Sequence, residues 1–247
     1  NFSIKKNFDK KFNLIPIKNN LIDIVSKKTN KKSVSTFYNL DKNVVGESID
    51  QKINKVIKSI KYKNIDNIFI SAPENVAWLL NLRGKDQPNS PIPNCKLILT
   101  KDKKIYFFSS SKKISKIRKI KYYKKLQFSK YENFEMIIKE LKGKNFSIDK
   151  LSCSIFNENI IKSFFKIKSD IDPCYSMKSI KNKLEINHMI NAHIEDGVAL
   201  TKFIFWIKNT NKKKITEINA QKKLEQFRKL NANYLFPSFN TIADTGS

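Results

Sequence analysis

The chain has 247 residues, with 49 Lys and Arg against 22 Asp and Glu, for a formal net charge of +27. That length holds one or two domains with a buried core, and a hydrophobic fraction of 40% with eighteen Phe argues for globular structure. No apolar run is long enough to span a bilayer, and the N-terminus, NFSIKKNFDKKF, lacks the apolar centre of a signal peptide.

The charge invites a nucleic-acid reading, which the residue types do not support. Only Arg83, Arg118 and Arg228 are arginines, the side chain suited to bidentate phosphate contacts. The lysines are scattered through nearly every segment. Lys, Asn, Ile and Phe are all heavily used and all have A- and T-rich codons, so genomic bias accounts for the pattern. No specific nucleic-acid partner and no membrane partner is expected. Cys95, Cys153 and Cys174 are odd in number, far apart and in no metal-type spacing, which predicts reduced structural thiols in a cytoplasmic protein.

Taken in order, Leu14 to Ile17 and Leu21 to Val25 are short apolar runs, and KKTNKK from Lys27 to Lys32 reads as a loop. Residues 1–40 read as the tail of a domain. Glu47 to Ile60 is predicted as an amphipathic helix, with Ile49, Ile53, Val56, Ile57 and Ile60 on one face. Asn67 to Ile70 reads as a strand, and Glu74 to Leu80 as a short helix. The loop NLRGKDQPNSPIPN follows, with three prolines and Gly84. Lys96 to Leu99 and Ile105 to Ser109 are predicted as a hairpin around Asp102. Tyr131 to Leu141 and Asn157 to Phe165 read as helices, followed by strands at Phe146 to Ile148 and around Ile167. This alternation predicts a compact α/β domain over 41–175.

Met177 to Trp206 is the longest stretch with one period. Ile186, Met189, Ile190, His193, Ile194, Gly197, Leu200, Thr201 and Ile204 share one face of a long helix. Phe203 to Ile207 is apolar all round, so that end is expected to be covered on every side, and more protein than these residues is needed to cover it. Thr216 is a predicted N-cap of a second helix that runs to about Leu230. The chain closes on YLFPSFNTIADTGS, a strand-like run leading into a turn.

Two separated stretches resemble one family. The first is ENVAWLLNLRGKD, from Glu74 to Asp86. The second runs from Lys178, Ile180, Lys181 and Asn182 through Ala192 to Leu200, then Thr216 to Ile218, Leu224, Glu225, Phe227, Arg228, Ser238, Phe239, Thr241, Ile242 and Gly246. Together they resemble a cytosolic, three-domain Xaa-Pro aminopeptidase (aminopeptidase P) of the creatinase and methionine-aminopeptidase "pita-bread" superfamily, peptidase family M24. The resemblance implies a creatinase N-terminal-like (ribonuclease H-like) α/β domain followed by the first helices and strand of a pita-bread catalytic domain. Residues 1–40 then correspond to the end of a first creatinase-N-like domain, 41–175 to a second, and 176–247 to the incomplete start of the metallopeptidase domain.

The implied activity is removal of the N-terminal residue of peptides with proline in second position. Two divalent metal ions, commonly manganese, generate the attacking hydroxide and polarise the scissile carbonyl. The resemblance places the family's metal ligands downstream of Ser247. It thus implies no metal and no catalytic residue within these 247 residues, and an inactive fragment of a homodimeric enzyme. A non-catalytic pita-bread-fold module that binds peptide or protein is the alternative.

Asn81, Arg83 and Asp86 lie in the proline-rich loop and are the substrate-entrance candidates. An Arg83–Asp86 salt bridge that merely fixes the loop is the plainer alternative. DTGS from Asp244 to Ser247 also spells an aspartic-protease signature, but it has no partner copy to share a proton with. His193 sits on the apolar stripe and reads as a hydrogen-bonded core histidine, and His188 as a solvated one.

Overall fold

The computed structural model of the protein describes residues 15, 17, 21, 25, 35–211 and 215–243. The loop expected at Lys27 to Lys32 and the Asp244 to Ser247 turn lie outside the described residues, as do most of the two N-terminal apolar runs.

Strand β1 (Tyr38–Asn39) leads into the single-turn helix α1 (Lys42–Val45) and then helix α2 (Ile49–Tyr62). Ser48 starts α2 with a capping box: its hydroxyl accepts from the Gln51 amide, and the Gln51 side chain accepts from the Ser48 amide. Strand β2 (Asn67–Ile70) follows, then α3 (Pro73–Leu79), with Pro73 in the first turn where its missing N–H costs nothing. Strands β3 (Leu82–Arg83), β4 (Lys96–Thr100), β5 (Ile105–Phe108) and β6 (Gln127–Ser129) come next. Helix α4 (Phe134–Glu140), β7 (Asn145–Ile148), α5 (Ile155–Lys162) and β8 (Lys166–Ser169) complete the α/β part.

The main sheet has the order β6-β5-β4-β2-β7-β8. β2 pairs antiparallel with β4 and parallel with β7, β4 and β5 form the predicted hairpin, and β8 is parallel to β7. Period-two alternation sorts its side chains. Ile68, Ile70, Leu97, Leu99 and Phe107 point to one face, where Ile53, Val56, Ile57 and Ile60 of α2 and Val76 and Leu79 of α3 cover them. Phe69, Ile98, Phe108, Phe146 and Ile148 point to the other, against Phe134, Ile137 and Ile138 of α4 and Ile161 of α5. β1 and β3 form a separate antiparallel pair, with Tyr38 opposite Arg83.

The single helix expected over 177–206 is two. Helix α6 (Pro173–Ser179) ends at Ile180, whose backbone is extended, and α7 (Lys183–Asn209) starts afresh. The cause is a second capping box: Asn182 Oδ1 accepts from the Glu185 amide, and Glu185 Oε2 accepts from the Asn182 amide. A side chain that satisfies the free amides of a first turn fixes a helix start there. Helix α8 (Glu217–Arg228) begins at Thr216 as expected and lies along α7, tied by a bidentate Arg228–Asp196 pair at 2.6 and 3.1 Å. Residues 229–243 form no strand, and among the described residues none pairs with them in a ladder.

The apolar face of α7 is open. Ala199 is its one buried residue, and Phe205 is 70% exposed. His193 is likewise exposed rather than in a core, and its Nδ1 meets the Met189 carbonyl oxygen at 2.8 Å, one turn back on the same helix. The stripe that placed it inward is real, but among the described residues no element covers it: Ile186, Met189, Ile190 and Ile194 are all exposed. No helix among the described residues is long and apolar enough to cross a membrane.

Candidate functional site

The NLRG loop leaves α3 through Asn81, whose φ of +50° puts it in the left-handed region that asparagine tolerates better than most residues. Asn81 is buried and fully engaged. Its Oδ1 accepts from Lys52 Nζ at 2.7 Å, its Nδ2 donates to the Glu47 carbonyl at 3.0 Å, and its own carbonyl accepts from the Leu40 amide at 2.8 Å. The end of α3 is held from another side by Tyr123, a buried phenol whose hydroxyl donates to the Leu80 carbonyl at 2.7 Å.

Lys52 is the unexpected member. It is 2% exposed and forms no ion pair among the described residues. Its ammonium donates to the Trp78 carbonyl at 2.9 Å and lies 4.6 Å from the centre of the Trp78 ring. Burial pulls its pKa down to about 8, partly offset by the Glu185 and Glu47 carboxylates and reinforced by Arg83 and Lys55. A signal for it was present in the sequence. Lys52 falls three residues after Ile49 and four before Val56, squarely on the apolar stripe of α2, where a lysine must find buried acceptors.

Arg83, two residues beyond Asn81, is half-buried. Its Nη1 donates to the Leu82 carbonyl at 2.8 Å and to the Ala77 carbonyl at 3.3 Å, and its other guanidinium nitrogens make no hydrogen bond among the described residues. Burial lowers its pKa, while Tyr38, Tyr123 and Glu185 work the other way. Asp86 does not pair with Arg83. Its Oδ1 takes the Lys113 ammonium at 2.6 Å and its Oδ2 accepts from the Asn94 amide at 2.6 Å, so it closes the proline-rich loop on itself and on the strap after β5. The loop-fixing bridge thus exists with a different cation. Of the three predicted residues, Asn81 and Asp86 are bound into the loop's own framework, and Arg83 alone keeps donors to spare.

Beside this turn lies a cleft of about 350 Å³ lined by Glu47, Lys55, Trp78, Met177, Ile180, Lys181, Asn182 and Glu185. It is the seam between the sheet domain and the first turn of α7. Asn182 crosses it, its Nδ2 donating to the Val45 carbonyl at 2.8 Å. A second polar chain ties α6 to the ends of the parallel strands. Lys178 donates to Asn75 Oδ1 at 2.6 Å, Asn75 to Asp172 Oδ2 at 2.7 Å, and the Asp172 amide to Asp149 Oδ2 at 3.1 Å. Burial raises the Asp172 pKa against the hydrogen bonds it accepts.

The family model of the creatinase/prolidase N-terminal domain matches residues 28–185. The chain belongs to that family. The chain is 30% identical to Xaa-Pro aminopeptidase ApepP of Drosophila melanogaster, an alignment that covers 94% of the chain and 39% of the relative. It is 29% identical to Xaa-Pro aminopeptidase 1 of Dictyostelium discoideum, covering 85% of the chain and 34% of the relative. The chain therefore spans about two-fifths or less of these curated relatives. Among solved structures it resembles the X-prolyl aminopeptidase of Caenorhabditis elegans, described as a cytosolic enzyme with a di-nuclear active site, at a TM-score of 0.82 and 23% identity over 92% of the chain and 38% of that structure. The Xaa-Pro dipeptidase of Bacillus anthracis follows the same fold at a TM-score of 0.57 and 15% identity, over 74% of the chain and 49% of that structure.

The creatinase N-terminal-like α/β fold is what the sequence led us to expect. Among the described residues no three or more His, Cys, Asp or Glu side chains converge as metal ligands. The described residues do not fit a dinuclear centre, and no step through a metal is assigned to them.

Proposed function

We propose that this chain is the middle portion of a metal-dependent Xaa-Pro aminopeptidase. On this reading residues 1–40 end one creatinase-N-like domain, 41–175 form a second, and 176–247 open a pita-bread catalytic domain. The observation that carries it is continuity: likeness to named Xaa-Pro aminopeptidases runs through the sheet domain, across the seam and along α7 and α8, over 94% of the chain. A creatinase N-terminal domain attached to something else would lose the match at the seam.

The complete protein would then hydrolyse the bond before a proline in second position, in the cytoplasm, as a homodimer with two divalent metals, manganese being the expected pair. Its metal ligands would come from outside residues 1–247. The part assigned to this chain is the substrate entrance. Arg83, whose guanidinium keeps unused donors, faces incoming peptide, while Asn81 and Asp86 hold the loop that carries it.

The test is hydrolysis of a short Xaa-Pro peptide with added manganese by the 247-residue chain and by the full-length product of its gene. Turnover by the full-length product alone is expected. A folded full-length product that neither binds metal nor cleaves the peptide would replace this reading with a non-catalytic peptide-binding module.

A further inference from the structure

A lysine buried without a carboxylate partner is costly, because its ammonium must exchange water for fixed acceptors. At Lys52 those acceptors belong to one short piece of chain. One is the carbonyl of Trp78 in the last turn of α3, the other the side chain of Asn81 immediately after it. The helix therefore cannot change how it ends, nor the loop how it begins, without stranding the ammonium. The left-handed backbone at Asn81 needs such support. Asn81 in turn passes its amide to the Glu47 carbonyl, one residue before the cap of α2, so the turn is gripped at both the start and the first turn of that helix.

We propose that Lys52 is a positioning residue for Arg83: it holds the Asn81 turn in its left-handed form and so fixes the start of β3, the strand that carries the guanidinium. This rests on the reading of Arg83 as a substrate-entrance group. The charged and titratable groups around Lys52 are Glu47 and Lys55 near the start of α2, Arg83 on β3, Glu185 on α7 and the buried thiol of Cys174 on α6. Lys55 pairs with Glu47 at 2.6 Å, and Glu185 is the carboxylate whose charge bears on both Lys52 and Arg83. The buried ammonium, the end of α3 and the Asn81 turn thus form one hydrogen-bonded unit that leads directly into β3.

The experiment compares wild type, Lys52→Met, Arg83→Ala and the double variant in the full-length gene product, by amide hydrogen exchange and by steady-state kinetics on an Xaa-Pro peptide. Lys52→Met keeps the stem and removes the donors. Exchange is expected to rise at least tenfold at the Leu40 amide, which donates to the Asn81 carbonyl, with β2 unchanged. KM should rise toward the Arg83→Ala value with kcat within twofold, and the double variant should match Arg83→Ala alone. Unchanged exchange at Leu40, or KM effects that multiply in the double variant, would overturn the positioning role. An opened turn in Lys52→Met with no KM effect of Arg83→Ala would instead sink the entrance reading and leave the turn-holding role standing. Lys52→Gln, which keeps amide donors on a stem one atom shorter, guards against misfolding of the Met variant. It should show a smaller change in the same direction, and a change as large as that of Met would count against the proposal.

Discussion

Asn81 and Asn182 donate to carbonyls only two residues apart, Glu47 and Val45, so the NLRG turn and the first turn of α7 are registered on the same short segment. Between those carbonyls sits Gly46 at φ +75°, with the Asn182 carboxamide so close that any Cβ would fall inside contact distance. A side chain at position 46 must therefore push the α7 cap away as well as adopt a disfavoured backbone. Gly46→Ala is expected to lower stability by about 1–2 kcal/mol from the left-handed geometry alone. It should also speed amide exchange at residues 183–186, to a similar extent as Asn182→Ala. Chemical denaturation with site-resolved exchange checks both, and an unchanged α7 cap in Gly46→Ala would refute the shared registration.

Arg83→Ala separates function from folding at the same turn. The side chain gives up two hydrogen bonds, to the carbonyls of Leu82 one residue back and Ala77 six residues back, so its removal should cost little stability, about 1 kcal/mol or less. In the full-length gene product KM for Xaa-Pro peptides should rise about tenfold, equivalent to about 1.4 kcal/mol of lost substrate binding. Loss of stability with unchanged kinetics would assign Arg83 to the fold instead.

How much of this was legible in advance depended on how local its causes are. Alternating apolar residues gave β2, the β4–β5 hairpin and β7, and the Ile49–Ile60 stripe gave α2, because burial periods are written in the segment itself. The short strands β1, β3 and β6 were not anticipated, since two or three residues become a strand only when a distant partner supplies the ladder. The break at Ile180 was readable in principle, from Asn182 and Glu185 spaced as a capping box, but the longer apolar period masked it. The partner of Asp86 was set by Lys113, twenty-seven residues away in a strap with no clear pattern, and nothing near Arg83 announced it.

Acid should loosen the sheet end opposite the seam through Asp66. Its carboxylate accepts from the Lys144 and Asn145 amides at 2.8 and 2.9 Å and pairs with Lys101 at 2.6 Å, which together bring its pKa down to about 2. A carboxyl depressed in the folded state contributes stability above its unfolded pKa of about 4, and loses it as pH falls through the folded value. The contribution is about 1–2 kcal/mol after screening at the half-exposed Lys101, fully present at pH 6 and mostly gone at pH 2. Asp66→Asn should therefore be destabilised at pH 6 and converge on wild type near pH 2. Denaturation curves of wild type and variant that coincide at both pH values would mean instead that Asp66 is merely solvated.

The three thiols give a test of the packing. Cys95, Cys153 and Cys174 are free and buried. Burial pushes Cys153 up to about 12 and the other two well above the ordinary thiol range, with neighbouring carboxylates of Asp86, Glu158 and Asp172 adding to the effect. A thiol reacts as its thiolate, so none should be modified quickly in the folded protein. Ellman-type titration at pH 8 is expected to find no fast-reacting thiol in buffer and three per chain in denaturant, with the native reaction limited by opening of the fold. One thiol reacting at the rate of a free cysteine in buffer would show that its part of the core is open, and the identity of that cysteine would say which face of the sheet is at fault: Cys153 the α4–α5 side, Cys95 or Cys174 the α2–α3 side.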